Sequence, residues 1–111
     1  MPRLRRALGE ERELWIKHDD YAGPGFGGNK IRKLEFELAA ARGAAGAGAQ
    51  GTGATVVLTT GGLRSNHCRI TAALAAQLGF GCHLVLNGER PGEGAEPASH
   101  ALDRMYGAEL H

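Results

Sequence analysis

Lys30 follows a glycine pair, in the run Gly27-Gly28-Asn29-Lys30. Two glycines let the backbone turn tightly and let a flat ligand approach it closely. Beyond them Ile31, Leu34, Leu38 and Ala41 recur at helical spacing, with Asn29 placed to cap the helix and Gly43 to stop it. Lys30 therefore falls in a first helical turn. There the positive end of the helix dipole disfavours an ammonium and favours the neutral amine that Schiff-base chemistry needs. A second group, Ser65-Asn66-His67, stands where a β-branched run gives way to a helix. In open α/β sheets that carboxyl end of the strands is the ligand side, and a helix N-terminus offers free N–H groups to an anion such as a carboxylate. Each group also has an ordinary explanation: a surface lysine for Lys30, a simple helix cap for Ser65 or Asn66, and a structural histidine for His67.

Other motifs carry less. Gly46-Ala47-Gly48-Ala49-Gln50-Gly51 matches the dinucleotide fingerprint G-x-G-x-x-G. That fingerprint works only after a strand and at the opening of a helix, whereas here it follows a helix and precedes a strand. Gly51-Thr52-Gly53 imitates a phosphate cup in the same wrong place. Neither His67-Cys68 nor Cys82-His83 can aim both members at one ion. Neighbours on a strand point to opposite faces, and neighbours on a helix diverge by about 100°. With C-x-x-C spacing absent, no metal site is expected, and the two cysteines are expected as small core residues.

The elements that must position Lys30 and Ser65–His67 read as an α/β unit. Leu14-Trp15-Ile16-Lys17 is short and apolar enough for a strand, and a turn-rich loop, Gly23 to Gly28, leads into the Lys30 helix. Gly43 to Ala54 is a Gly/Ala run with the composition of a flexible connection. Thr55 to Thr60 and Cys82 to Leu86 are continuous apolar or β-branched runs, as in strands buried on both faces. Between them Ile70, Ala73, Leu74 and Leu78 stripe a helix that ends at Gly79. Strand, helix, strand with short connections makes a βαβ unit with parallel strands. After a loop from Gly88 to Glu96, Pro97 opens a last helix to Tyr106, with Gly107 past its end. A further strand should follow, but only Glu109-Leu110-His111 remain, so the sheet is expected to be cut off with its growing edge exposed.

Composition narrows the function classes. The chain has 111 residues, 42% hydrophobic and 23% charged, within the range of one soluble domain. A net charge of +1 makes no electrostatic case for nucleic acid or an anionic membrane. Arg3, Arg5 and Arg6 are followed at once by Glu10, Glu11 and Glu13 and read as a solvated face. No apolar run approaches the roughly 18 residues of a membrane span, and no signal core follows the early arginines. Two cysteines suit a reducing compartment, so a cytoplasmic location is expected. The 18 glycines are about twice the usual share and are concentrated in the loops.

Taken together, Leu14-Trp15-Ile16-Lys17-His18-Asp19-Asp20, then Gly27 to Glu35, then Thr59-Thr60-Gly61-Gly62-Leu63-Arg64-Ser65-Asn66-His67-Cys68-Arg69 resemble the D-cysteine desulfhydrase / 1-aminocyclopropane-1-carboxylate (ACC) deaminase family in order and spacing. The resemblance runs over nearly the whole chain. It implies the type II, tryptophan-synthase-β-like fold of pyridoxal 5'-phosphate (PLP) enzymes, of which residues 1–111 would be an N-terminal portion about a third of a typical member. It implies that Lys30 carries PLP through a Schiff base and that Asn66 contacts the phenolic oxygen of the ring. It places Ser65 near the substrate carboxylate, with a catalytic part, and His67 against the substrate. His18 stands where the family usually has Arg, Arg64 where it has Gln, and the run 43–54 is longer than the family's. The family's phosphate loop and the partner of the pyridine nitrogen belong to a later, larger domain.

The implied activity is that of a PLP-dependent lyase or deaminase on a small amino acid, D-cysteine first, releasing pyruvate, ammonia and sulfide. ACC deamination is the alternative, and His67-Cys68-Arg69 leans to the desulfhydrase side. A truncated remnant with no activity of its own is the reading from another class. The resemblance also implies a homodimer for the full-length member, while the charge balance leaves neither nucleic acid nor membrane as an expected partner.

Overall fold

The computed structural model describes residues 2–9, 13–43, 53–89 and 96–111. The first element is α1, Pro2–Ala7, a short exposed helix across the early arginines that the sequence reading took only as a solvated face. A single 3-10 turn, Asp19–Tyr21, leads into the glycine loop. Then come α2 (Lys30–Arg42), β1 (Val56–Gly62), α3 (Asn66–Leu78), β2 (Gly81–Asn87), α4 (Ala98–Met105) and β3 (Ala108–Leu110).

α2 buries Ile31, Leu34 and Leu38, the stripe expected from spacing, and ends at Gly43 in the left-handed conformation. Asn29 occupies the cap position, but its side chain makes no capping bond. α3 starts at Ser65, whose hydroxyl accepts from the Cys68 N–H at 3.3 Å, and stops at Gly79. Its stripe is wider than the four residues read from spacing, because Cys68 and every residue from Ile70 to Ala75 are buried. Small residues at Ala72, Ala73 and Ala75 let the helix sit close to its neighbours.

The sheet runs β1-β2-β3, all parallel, with Val57 opposite Cys82, Thr59 opposite Leu84, and Cys82 opposite Ala108. The βαβ unit is thus as expected. The last strand, however, lies within the chain: Ala108–Leu110 pair with β2, where only a stub had been foreseen. His111 prolongs the ladder, its N–H donating to the Leu84 carbonyl and its carbonyl accepting from the Leu86 N–H, both at 2.8 Å.

Two readings need correction. β1 and β2 are not buried on both faces. Cys82, Leu84 and Ala108 are buried against α3 and α4, while Val56 and Leu58 turn outward, Leu58 70% exposed. The helices that pack directly on the sheet cover one face of it, so a continuous apolar run here does not mean two covered faces. Nor do Leu14 to Lys17 form a strand. They carry no ladder pairing, and with Trp15 86% and Ile16 52% exposed the run buries too little apolar surface to hold it on an edge of the sheet. The Gly/Ala connection from 44 to 52 lies outside the described residues, and with it the fingerprint-like run from Gly46 to Gly51.

The core joins α2, α3 and the inner face of the sheet: Leu34, Leu38, Ile70, Leu74, Cys82 and Leu84 are all buried within it. Both cysteines are free and buried, as expected, and burial pushes the Cys82 thiol up to about 11. An outlier is Asp103 of α4, only 2% exposed, with Oδ1 buried and unpartnered. Burial raises its pKa above the ordinary carboxylate value, against the opposing pull of His100 and Arg69. The folded chain therefore holds a proton that the unfolded chain releases, and stability falls as pH rises from about 4 through the raised value. Asp103→Asn should stabilise the protein at neutral pH and flatten this acid-side slope; urea denaturation at acid and neutral pH measures both.

Candidate active site

The loop before Lys30 turns by a series of residues with positive φ: Gly23, Gly25, Phe26, Gly27 and Gly28. At Gly25 and Gly28 the reason is a close approach to α3. A Cβ on Gly25 would stand 3.0 Å from the Ala73 Cβ, and one on Gly28 would stand 3.0 Å from the Ile70 Cδ1. At Gly27 a Cβ would run into the Asp20 carbonyl, because the chain folds back onto the 3-10 turn and Gly28 N–H donates to Asp19 O at 2.6 Å. Phe26 is the one residue with a Cβ among the described positions of positive φ, an arrangement that costs of order 1–3 kcal/mol. The loop is held in place by Arg69.

Arg69 is the residue the sequence reading passed over. Its Nε donates to the Gly25 carbonyl at 2.9 Å, and its Nη1 donates to the Asn66 Oδ1 at 2.9 Å. The guanidinium carbon lies 6.0 Å from the centre of the exposed Phe26 ring, at the limit of a cation–π contact. One side chain thus ties the lysine-bearing loop to the first turn of α3. Its signal was available: Arg69 is three residues after Asn66, on the same helix face. With Oδ1 engaged by a cation, the Asn66 amide is oriented, and its N–H groups are left to donate elsewhere.

Lys30 opens α2 as the spacing predicted, and it is exposed. The chain has three lysines. Lys17 lies 4.0 Å from Asp19, and Lys33 lies 3.3 Å from Glu37. Among the described residues, Lys30 has no carboxylate partner.

Ser65 is half-buried at the end of β1 and spends its hydroxyl as the α3 cap. A Cβ on Gly61 would meet the Ser65 Oγ at 2.7 Å, so the strand end passes tightly beneath it. His67 turns the other way, into a cleft of about 260 Å³ between α2, β1 and α3 that Lys33, Glu37, Thr59 and Thr71 also line. Its Nε2 lies 2.9 Å from Thr59 Oγ1, and its Nδ1 is buried without a partner. A larger groove, about 660 Å³ between α2 and the far end of α3, includes none of Lys30, Ser65, Asn66 or His67.

Burial lowers the His67 pKa, with help from the charges of Lys33 and Lys30 and against Glu37. The folded state thus favours neutral imidazole, and the stability this confers is present above about 6.5 and lost as pH falls through the lowered value. An NMR titration of the ring protons should put the His67 midpoint below 6.5; a midpoint above that would contradict the burial described.

Lys30 thus opens α2 after a glycine loop laid against α3, and Arg69 of α3 ties that loop to Asn66. All of residues 1–111 match the family described as pyridoxal-phosphate dependent enzymes, and the chain belongs to that family. It is 41% identical over 113 residues to the ACC deaminase of Rhizobium radiobacter, covering 98% of this chain and 31% of that one. With the D-cysteine desulfhydrase of Klebsiella pneumoniae it shares 48% over 97 residues, or 86% of this chain and 26% of the relative. A crystal structure of an ACC deaminase homologue superposes over 100% of this chain and 30% of its own, with TM-score 0.77 and 38% identity. The chain spans between 23% and 31% of the length of these and similar curated relatives. No helix among the described residues is long and apolar enough to cross a membrane.

Proposed function

We propose that the chain supplies the lysine side of a PLP site in a lyase or deaminase that acts on a small amino acid. The observation that carries this reading is Lys30, an exposed amine with no carboxylate partner among the described residues, directly after a loop that Arg69 fastens to Asn66. When bound, PLP supplies an electron sink that stabilises negative charge at the carbon next to the amino group. Lys30 Nζ would hold the cofactor aldehyde and afterwards carry protons to and from the substrate. Asn66, with Oδ1 held by Arg69, would donate its N–H to the phenolic oxygen. Ser65 stands at the carboxyl end of β1, where the first N–H groups of α3 and its own hydroxyl would receive the substrate carboxylate. His67 would act on the substrate from the other side of α3, after its ring leaves Thr59.

The preferred substrate is D-cysteine, taken with water to pyruvate, ammonia and sulfide. ACC is the second reading, and the names of the Rhizobium relative and of the crystal structure favour it. The continuation of the chain that such relatives possess would complete the enzyme; the proposal includes a homodimer and a cytoplasmic location for that whole.

Reduction with borohydride in the presence of PLP, followed by peptide mapping, tests the lysine directly. The pyridoxyl group should appear on the peptide with Lys30 and vanish in Lys30→Ala. Modification spread equally over Lys17 and Lys33 would remove the basis of the reading. Asn66→Ala should weaken PLP retention by about 0.5–1.5 kcal/mol, the value of one neutral hydrogen bond. Ser65→Ala should leave trapping unchanged and cost about 1 kcal/mol of stability as a lost cap, with turnover reduced wherever the whole enzyme is assayed.

A further inference from the structure

The open face of the sheet carries three metal-ligating side chains together. His83 on β2 stands directly opposite Glu109 on β3, and His111 follows Glu109 by two residues, so all three side chains project on the same side. His83 Nδ1 lies 3.0 Å from His111 Nε2 and 3.5 Å from Glu109 Oε2, and one donor atom from each residue lies within 4.8 Å of the others. The imidazole rings stack with centroids 5.3 Å apart and 25° between planes. The ladder fixes the backbone beneath them on both strands: Leu84 O and Leu86 N–H pair with His111.

We propose that His83, Glu109 and His111 bind a divalent transition-metal ion of the zinc kind. Zinc takes nitrogen at about 2.0–2.1 Å in a tetrahedron, which sets neighbouring ligand atoms about 3.3 Å apart. The separations of 3.0 and 3.5 Å lie on either side of that value. Two imidazoles and one carboxylate are a donor set zinc favours, and three protein ligands leave a fourth position for water. A shared proton can satisfy only one pair among the three donors at a time, whereas an ion satisfies all three. The Glu109 side chain is 70% exposed and free to swing the short distance to the ion. Bound there, the ion would staple the edge strand β3 to β2. The site lies on the face of the sheet opposite α3 and is independent of the Lys30 chemistry.

The test is a zinc titration of the chelator-stripped protein against a chromogenic competitor, with thermal unfolding as a second readout. One ion should bind per chain in the micromolar range or tighter, and it should raise the unfolding temperature. His83→Ala, Glu109→Gln and His111→Ala should each weaken binding about tenfold or more, and the double histidine variant should abolish both effects. Glu109→Gln and His111→Ala change exposed side chains and serve if His83→Ala does not fold, as judged by circular dichroism. His18→Ala, at a separate exposed His–Asp pair, should bind as the parent does. Absence of binding, or binding that survives the double variant, would overturn the proposal and leave a polar cross-strand cluster.

Discussion

The approach of the glycine loop to α3 governs where Lys30 stands relative to the helix that carries Asn66. Gly25 and Gly28 lie against Ala73 and Ile70 at a distance that leaves no room for a Cβ without displacement. Arg69 then closes the contact with hydrogen bonds to Gly25 and Asn66. Because Ile31, Leu34 and Leu38 bury the next helix in the same core, the Lys30 backbone has little freedom of position. A lysine is a flexible side chain, but its Cα is set by backbone contacts on one side and core packing on the other. This is how a surface amine becomes a located one. The positive φ at Phe26 fits the same account, since the loop's path is dictated by its neighbours rather than by that residue's preference.

Helices α2, α3 and α4 were legible because their signals are local, whereas the short exposed α1 was not read as a helix. Spacing of apolar residues gave α2 and α3, glycines marked their ends, and Pro97 and Gly107 bracketed α4. Ser65 was one of two candidates for the cap, and its hydroxyl takes that place. The failures in the sheet were about partners. Leu14 to Lys17 has the composition of a strand, yet it pairs with none and leaves Trp15 exposed. β1 has the composition of a strand covered twice, yet its outward residues Val56 and Leu58 are exposed. An apolar run reports what a segment can bury and is silent on what lies above it.

The site shows the same division. Lys30, Ser65 and Asn66 stand at element ends, which sequence gives to within a residue or two. Arg69 could be read only halfway: its spacing to Asn66 is local, but its other partner, the Gly25 carbonyl, is 44 residues away and no local pattern announces it. His67 was placed at the start of the right helix, but its ring direction depends on Thr59 from β1 and on the charges of Lys33 and Glu37 from α2. Those contacts cross three elements. A helix start tells which residues gather, while side-chain direction is settled by tertiary neighbours.

Cys82 and His83 carry the argument one step further. They are adjacent on β2, and the two-residue period of a strand sends them to opposite faces, as the sequence argument held: Cys82 is 4% exposed in the core, while His83 lies on the open face. The buried thiol, pushed up to about 11, is held as the neutral, inert form. The same period that denies Cys82 and His83 a shared ion aligns Glu109 with His111 on the edge strand. What adds His83 to that pair is the register of β2 against β3, which pairs it with Glu109 across 26 positions of sequence. Spacing rules along one segment exclude chelation by neighbours, and they have no power to exclude it between strands.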